Sequence, residues 1–177
     1  MNTTIKPSPA DYADLTPDTL LDAVEQCGYR CDGRFIALNS YENRVYQIGI
    51  EDGAPVIVKF YRPGRWSDEA ITEEHGFALE LAEQEIPAIA PTPVNTSTLL
   101  RHRGYRFAIY RRHGGHWPEL NTQDDREWVG RFIARIHAVG ASRPFRHRPR
   151  LDIDSFGHQS VRFLLEKGFI PAHIETA

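Results

Sequence analysis

The sequence lacks any apolar run near the roughly 20 residues that a membrane-spanning helix needs. It also has no basic N-terminal region followed by a hydrophobic core and a small-residue cleavage site. These two absences predict a cytoplasmic protein. The formal net charge of −3 over 177 residues is too small to indicate a nucleic-acid carrier or an acidic tail. The length suits one domain, or one complete lobe and part of a second.

Cysteine is scarce, and its placement excludes a zinc site. Cys27 and Cys31 lie four residues apart, with no second Cys or Cys/His pair at the spacing of a zinc site. We therefore expect both thiols to be reduced and structural. His113 and His116 are separated by two glycines, and these glycines favour a flexible connection over a metal site.

The most informative stretch is a short apolar run that contains a lysine. Residues 56–60 read Val-Ile-Val-Lys-Phe between the turn signals Asp52-Gly53 and Pro63-Gly64, which predicts a buried strand. Lysine is seldom fully buried unless it is paired. Lys59 therefore needs either an exit to solvent or an anionic partner.

Further short β segments predict an α+β fold. We expect strands at residues 35–38, 45–50, 56–60, 98–100 and 105–110, forming an antiparallel sheet of about five strands. A helix precedes the sheet, where Thr16 caps it, Pro17 occupies its first position and Gly28 ends it. A second helix follows β segment 56–60, from a cap at Ser67 to about residue 85.

This second helix offers the lysine a partner. At 100° per residue its apolar face consists of Ile71, Ala78, Leu81 and Ala82. Glu74 lies inside that face, whereas Glu73 and Glu80 point away toward solvent. Glu74 is therefore the predicted partner of Lys59.

The remainder of the chain is predicted to be helical. Residues 122–139 carry an apolar stripe with arginines mostly opposite, and Gly140 ends that helix. The stripe consists of Trp128, Val129, Phe132, Ile133 and Ile136. A basic loop at 143–150, a shorter helix at 155–167 and the start of another helix at 171–177 follow. The irregular residues 111–117 suit a hinge between lobes.

Three stretches together resemble one family. Residues 38–46 (LNSYENRVY), 58–63 (VKFYRP) and 73–79 (EEHGFAL) are similar, in this order, to the bacterial stress response kinases, which are protein Ser/Thr kinases of the aminoglycoside/choline phosphotransferase-like group. The resemblance covers about residues 16–171. It implies a protein-kinase-like N-lobe at residues 16–112 after a flexible arm at 1–15, a hinge at 113–120, and the first helices of an incomplete C-lobe at 121–177.

The resemblance also implies an ATP site. Lys59 would hold the α- and β-phosphates while Glu74 orients the lysine. The loop over the phosphates would be formed by Ser40, Tyr41, Glu42 and Asn43. Residues 107–113 would be the hinge that binds the adenine edge through backbone hydrogen bonds, and the helix around residues 128–137 would pack beneath it.

Two kinase motifs are absent. The phosphate loop has no Gly-x-Gly-x-x-Gly pattern, a feature that the family shares. No His-Gly-Asp or His-Arg-Asp catalytic loop occurs, nor the Asn and metal-binding Asp that follow it. We expect the base and the Mg²⁺ ligands to lie beyond Ala177, in the second half of a longer kinase. The full-length kinase is expected to be a monomer, and this half is expected to be inactive alone. Asp152 and Asp154 are expected to serve as a solvated loop or helix cap rather than a metal site.

Two other functions are left open. The chain could be a truncated kinase-like binding module that binds nucleotide weakly or sequesters a partner. A basic hairpin, together with the basic loop at 143–150, could also bind single-stranded nucleic acid, because arginines of the hairpin are interleaved with Tyr105, Phe107 and Tyr110. The arginines are Arg101, Arg103, Arg106, Arg111 and Arg112. The core-facing alternation of these aromatics and the acidic net charge argue against the binding of nucleic acid. The sequence does not define the protein substrate.

Overall fold

The computed structural model describes residues 11–115, 117–171 and 174. The chain divides into two compact units, Met1–His147 and Arg148–Ala177. His116, most of the predicted arm at residues 1–15 and most of the helix predicted to start at 171–177 lie outside the described residues. The predicted lobe boundaries stay predictions. Within the described part of the chain, no helix is both long and apolar enough to cross a membrane.

The first helix, α1, covers Pro17–Glu25 and begins as the sequence predicts. Thr16 Oγ1 accepts a hydrogen bond of 3.2 Å from the backbone N–H of Thr19, and Pro17 needs no partner at the first helical position. Gly28 follows the helix with a φ of +88°, a conformation that glycine adopts without strain.

A five-stranded antiparallel sheet forms the centre of the first unit and confirms the predicted α+β class. Its strands are β1 (Cys31–Leu38), β2 (Arg44–Ile50), β3 (Val56–Phe60), β4 (Leu100–His102) and β5 (Tyr105–Arg111). Their spatial order is β1-β2-β3-β5-β4, so β3 is the central strand. Lys59 on β3 lies opposite Val45 on β2 and Ala108 on β5.

Strand β1 begins four residues before the position predicted from the sequence. The pairing with β2 is irregular between Cys31 and Phe35, and Gly33 in this bulge has a φ of +83°. The Asp32 carboxylate accepts a 2.9 Å hydrogen bond from the backbone N–H of Arg34. The bulge interrupts the alternation of apolar residues on which a strand prediction depends.

The two faces of the sheet carry different side chains. Helix α1 covers the face that holds the main hydrophobic core, where Leu20 and Val24 meet residues of the sheet. The sheet residues of this core include Ile48, Val58, Phe60, Phe107 and Ile109. The opposite face carries Lys59 and is covered by the second helix, α2 (Asp68–Glu83).

Helix α2 confirms the predicted cap but corrects the predicted buried face. Ser67 Oγ accepts a hydrogen bond of 3.1 Å from the backbone N–H of Ala70. Ile71 and Leu81 are buried as expected, but Ala82 is exposed. His75 is buried instead. Helical spacing places residues 71, 74 and 75 next to one another, and a polar residue does not mark itself as buried in an apolar pattern.

Glu73 and Glu80 were expected to face solvent, and the structure corrects this. The Glu73 carboxylate accepts hydrogen bonds from the backbone N–H groups of Arg146 (2.6 Å) and His147 (2.9 Å). Glu80 forms a 2.5 Å ion pair with Arg143. The outer side of α2 therefore binds the basic loop that follows the next helix.

That next helix, α3, covers Gln123–Gly140 and begins with a capping box between Thr122 and Asp125. Val139 is buried against residues of α2. The predicted apolar stripe is only partly covered within this unit, since Trp128 is 56% and Ile133 is 48% exposed.

The second unit contains a π-helical turn, Asp154–His158, followed by the helix α4, Gln159–Glu166. The Asp152 carboxylate accepts a hydrogen bond of 2.9 Å from the backbone N–H of Ser155, within the first residues of this turn. Gly168 follows α4 with a φ of +65°.

Candidate functional site

An ion pair between the sheet and α2 is the centre of the candidate site. Lys59 Nζ lies 3.1 Å from Glu74 Oε1. The two side chains are 23% and 34% exposed. The pair is therefore held by the fold and remains open to a ligand on one side.

Local structure explains why these two residues meet. In β3, Val56, Val58 and Phe60 point into the α1 core, so the alternation of the strand turns Lys59 to the other face. On α2, Glu74 follows the buried Ile71 by three residues and therefore lies on the face that packs on the sheet.

Tyr61 extends this arrangement beyond the ion pair. Its ring centroid lies 4.8 Å from Lys59 Nζ, within the range of a cation–π contact. Its hydroxyl is 2.6 Å from His75 Nε2 and 3.2 Å from the hydroxyl of Tyr110. Tyr61 thus contacts the lysine with its ring and α2 with its hydroxyl group.

His75 is a buried histidine that the sequence reasoning missed. The pKa of His75 is lowered to about 4, mainly by burial; the Glu74 carboxylate opposes this shift and the smaller effect of the Lys59 charge adds to it. The imidazole is therefore neutral near pH 7. Its Nδ1 lies 2.9 Å from Thr98 Oγ1, so both ring nitrogens have a partner. Its position four residues after Ile71 was the available signal.

The candidate phosphate loop, residues 40–43, is held by its own polar groups. Ser40 Oγ donates a hydrogen bond of 2.5 Å to the carbonyl oxygen of Asn43. The Asn43 side-chain oxygen accepts one of 3.2 Å from the backbone N–H of Arg62. Tyr41 is fully exposed. The loop therefore lies beside the chain that follows Lys59.

Glu42 anchors this loop with its side chain. Its carboxylate accepts hydrogen bonds from Arg65 Nε (2.7 Å) and Trp66 Nε1 (2.8 Å). Burial raises the pKa of Glu42, but these two hydrogen bonds and the neighbouring arginines outweigh it and lower the pKa below its usual value. Because this carboxylate is ionised and already paired, a phosphate would be met by backbone groups of the loop rather than by Glu42.

Tyr12 joins the same loop to β3. Its hydroxyl lies 3.3 Å from the carbonyl oxygen of Glu42 and 3.2 Å from that of Phe60. Burial raises the pKa of Tyr12 to about 12, so the hydroxyl stays protonated and donates. A residue from the region predicted as a flexible arm thus takes part in fixing the loop.

The predicted adenine hinge is shorter than residues 107–113. Phe107, Ala108 and Ile109 belong to β5 and pair with β3. The carbonyl oxygen of Ile109 also accepts a hydrogen bond of 2.7 Å from Thr92 N. Backbone groups that form the sheet are not available to a base. The candidate hinge therefore lies after Arg111, which is the last residue of β5 and pairs with Val56 on β3.

The described residues offer no metal site. Among residues 11–115, 117–171 and 174, no three His, Cys, Asp or Glu side chains converge as metal ligands. Cys27 and Cys31 are free thiols, and burial raises the pKa of both, that of Cys31 to about 11. Of the two histidines flanking the glycine pair, His116 lies outside the described residues.

The basic hairpin is largely neutralised by neighbouring carboxylates. Arg103 pairs with Asp22 at 2.9 Å. Arg106 pairs with Asp68 at 3.0 Å, and Arg101 pairs with the same carboxylate. Tyr105 and Phe107 are buried and present no ring for a base to stack on.

A five-stranded sheet with a central lysine, paired to a glutamate on the following helix, defines a kinase-like fold. A solved structure has this fold as well: the amicoumacin kinase hAmiN in complex with AMP-PNP, Ca²⁺ and Ami. Its TM-score is 0.58 at 16% sequence identity, over 85% of this chain and 53% of that one. The likeness shows the shared fold.

The model of the phosphotransferase enzyme family (APH) matches residues 34–162. The chain belongs to this family. It is 43% identical over 166 residues to stress response kinase A of Salmonella choleraesuis (strain SC-B67) and 40% identical to that of Escherichia coli (strain K12). It is 42% identical to the serine/threonine protein kinase RdoA of Salmonella typhimurium (strain LT2). Each match covers 94% of this chain and 51% of the relative, so the chain spans about half the length of these proteins.

Proposed function

We propose that this chain is the nucleotide-binding lobe of an ATP-dependent kinase that phosphorylates serine or threonine residues of proteins. The observation that carries the proposal is the 3.1 Å pair between Lys59 and Glu74, which lies between the sheet and α2 and is partly exposed. In a kinase fold this lysine binds the α- and β-phosphates and this glutamate holds it in place.

Each residue has a task in this proposal. Lys59 supplies a positive charge for the phosphates, and Glu74 holds the flexible side chain in one orientation. Residues 40–43 cover the phosphates through their backbone, with Ser40 and Asn43 keeping the loop closed. Residues 112–113 offer backbone groups to the adenine edge.

The comparisons support the proposal at different levels. The relatives are named stress response kinases, and one of them is named a serine/threonine protein kinase. The structural neighbour contains AMP-PNP and Ca²⁺, which supports a nucleotide and a divalent cation as ligands. We assign Mg²⁺ as the physiological cation, because it is the usual partner of ATP phosphates.

Phosphoryl transfer needs more than this lobe offers. A divalent cation neutralises charge on the phosphates, and a carboxylate positions the acceptor hydroxyl. The described residues contain no cluster that fits the cation, and the sequence has no His-Gly-Asp or His-Arg-Asp motif. This chain alone is therefore expected to bind ATP without transferring phosphate.

Equilibrium binding of a fluorescent ATP analogue tests the proposal. Lys59→Ala should weaken binding at least about tenfold, equivalent to about 1.4 kcal/mol. Glu74→Gln should weaken it by about threefold to tenfold, because the lysine loses its charged partner. Glu83→Gln is the matched control, since Glu83 is exposed on the last turn of α2. Glu73 is not a suitable control, because its carboxylate binds Arg146 and His147.

The fold of each variant is checked by circular dichroism and thermal unfolding. A folded Lys59→Ala protein that binds the nucleotide as tightly as the wild type would refute the proposal. Incubation of the wild-type chain with γ-labelled ATP and a generic protein acceptor tests whether the chain alone transfers phosphate. Transfer of label by this chain alone would refute the expectation that it only binds.

A second candidate function is a binding module that sequesters a partner protein. The observation that favours it is the partly exposed apolar stripe of α3, which includes Trp128 and Ile133. A chain that binds no nucleotide but forms a stable complex through this stripe would favour the module over the kinase lobe.

A further inference from the structure

A partly buried set of hydrogen-bonded side chains lies beside the Lys59–Glu74 pair. It consists of Tyr61, His75, Thr98 and Tyr110. Tyr61 is 2% and His75 is 1% exposed. Such polar groups are costly to bury unless their hydrogen bonds are made, so this set constrains the elements that carry it.

The set connects the two halves of the ion pair by a second route. The Tyr61 ring contacts Lys59 Nζ at 4.8 Å. The Tyr61 hydroxyl is 2.6 Å from the ring of His75, and His75 follows Glu74 directly on α2. One tyrosine therefore touches the lysine and also the residue next to its carboxylate partner.

His75 adds a requirement for direction. A neutral imidazole has one N–H donor and one acceptor nitrogen. Nε2 meets Tyr61 and Nδ1 meets Thr98, on opposite sides of the ring. If α2 turned or moved along its axis, the buried ring would lose at least one of these partners.

The apolar contacts at the same place cannot set this position alone. Ile71 packs against Tyr61 and Ala108, but apolar contact has no preferred direction. A hydrogen bond of 2.6 Å weakens steeply when its angle changes. The hydrogen bonds of His75 therefore add a directional constraint on α2 that apolar packing does not supply.

We propose that Tyr61 and His75 are positioning residues, which hold α2 at the rotation and height at which Glu74 reaches Lys59. Thr98 fixes the ring of His75 from the other side. The importance of this positioning for nucleotide binding rests on the proposed function, whereas the positioning of Lys59 itself does not.

The chemical reactivity of Lys59 measures this positioning without any nucleotide. The sequence contains only three lysines, Lys6, Lys59 and Lys167, so acetylation of each can be followed by peptide mass spectrometry. Lys167 is exposed in the second unit and provides the internal reference rate. Loss of the Glu74 contact should free the Lys59 amine and raise its rate.

Tyr61→Phe removes the hydroxyl group and keeps the ring. We expect it to raise the acetylation rate of Lys59, relative to Lys167, by about threefold to tenfold. The matched control is Tyr46→Phe. Tyr46 is a residue of β2 that lies opposite Val58 of β3 and packs on Phe60, at the face of the sheet away from Lys59. The control should change the ratio of the Lys59 to the Lys167 acetylation rate by less than about twofold.

Two substitutions of His75 separate positioning from simple packing. Glutamine places its amide near the position of Nε2, within reach of Tyr61, whereas asparagine places its amide near Nδ1, within reach of Thr98. His75→Gln should keep the slow rate of Lys59, and His75→Asn should raise it as Tyr61→Phe does. Thermal unfolding confirms that each compared protein is folded.

Two results would overturn the inference: a Lys59 rate unchanged in folded Tyr61→Phe, or equal rates in His75→Gln and His75→Asn. Repeating the acetylation with ATP present tests the proposed function separately. If ATP fails to protect Lys59 in the wild type while Tyr61→Phe still raises the rate, the nucleotide proposal fails and the positioning inference stands.

Discussion

We expect the buried imidazole of His75 to make the stability of this protein sensitive to mild acid. Burial is the main reason that the pKa of His75 is lowered to about 4, from 6.5 in a model peptide. Between these values the unfolded chain binds a proton at this position and the folded chain does not. The contribution of His75 to the free energy of unfolding is therefore complete above about pH 6.5. It decreases as the pH drops toward 4.

The size of this effect follows from the pKa difference. One pKa unit corresponds to about 1.4 kcal/mol, so complete titration would cost about 3 kcal/mol. Between pH 7 and pH 5 the loss is about 2 kcal/mol. This is a large share of the roughly 5–15 kcal/mol that stabilises a typical domain.

Urea denaturation at pH 7, 6 and 5 measures this loss of free energy of unfolding. The wild type should lose about 2 kcal/mol more than His75→Gln between pH 7 and pH 5, because glutamine cannot take up the proton. His137→Gln controls for the loss of an exposed imidazole. Parallel pH profiles for the wild type and His75→Gln would show that His75 is not held neutral by burial, and the reasoning would be refuted.

Two further predictions concern the anchoring of α2. Asp68→Asn should reduce the free energy of unfolding by about 1–3 kcal/mol, because the Arg106 guanidinium, only 10% exposed, would lose its charged partner. Asp22→Asn removes a more exposed pair with Arg103 and should cost less than about 1 kcal/mol in the same urea titration; equal losses would contradict this argument. Ser67→Ala removes the cap of α2 and should cost about 1 kcal/mol in that assay, whereas Ser67→Asp should restore most of it.

Much of the fold follows from local rules that the sequence displays. Thr16 and Ser67 cap α1 and α2 as predicted, because their hydroxyl groups satisfy backbone donors within three residues. The central strand at residues 56–60 matches its prediction, since β-branched residues between turns favour a buried strand. The irregular start of β1 was missed, because its bulge carries polar residues.

Some features of the candidate site likewise followed from local sequence patterns, and others did not. The approach of Glu74 to Lys59 was predictable, because each follows a periodic pattern within its own element. The partners of His75 were not, since Tyr61 and Thr98 lie 14 and 23 residues from it along the chain. The binding of residues 146 and 147 by Glu73 joins positions more than 70 residues apart.

By itself, the sequence determined the elements, their order and the two residues of the central ion pair, because capping, alternation and helical periodicity act over a few neighbouring positions. Only the tertiary structure decided how α2 is seated on the sheet, where β5 ends, and which carboxylates are already paired. Those features depend on hydrogen bonds between distant segments, and such bonds form only where the packed chain brings their donors and acceptors together.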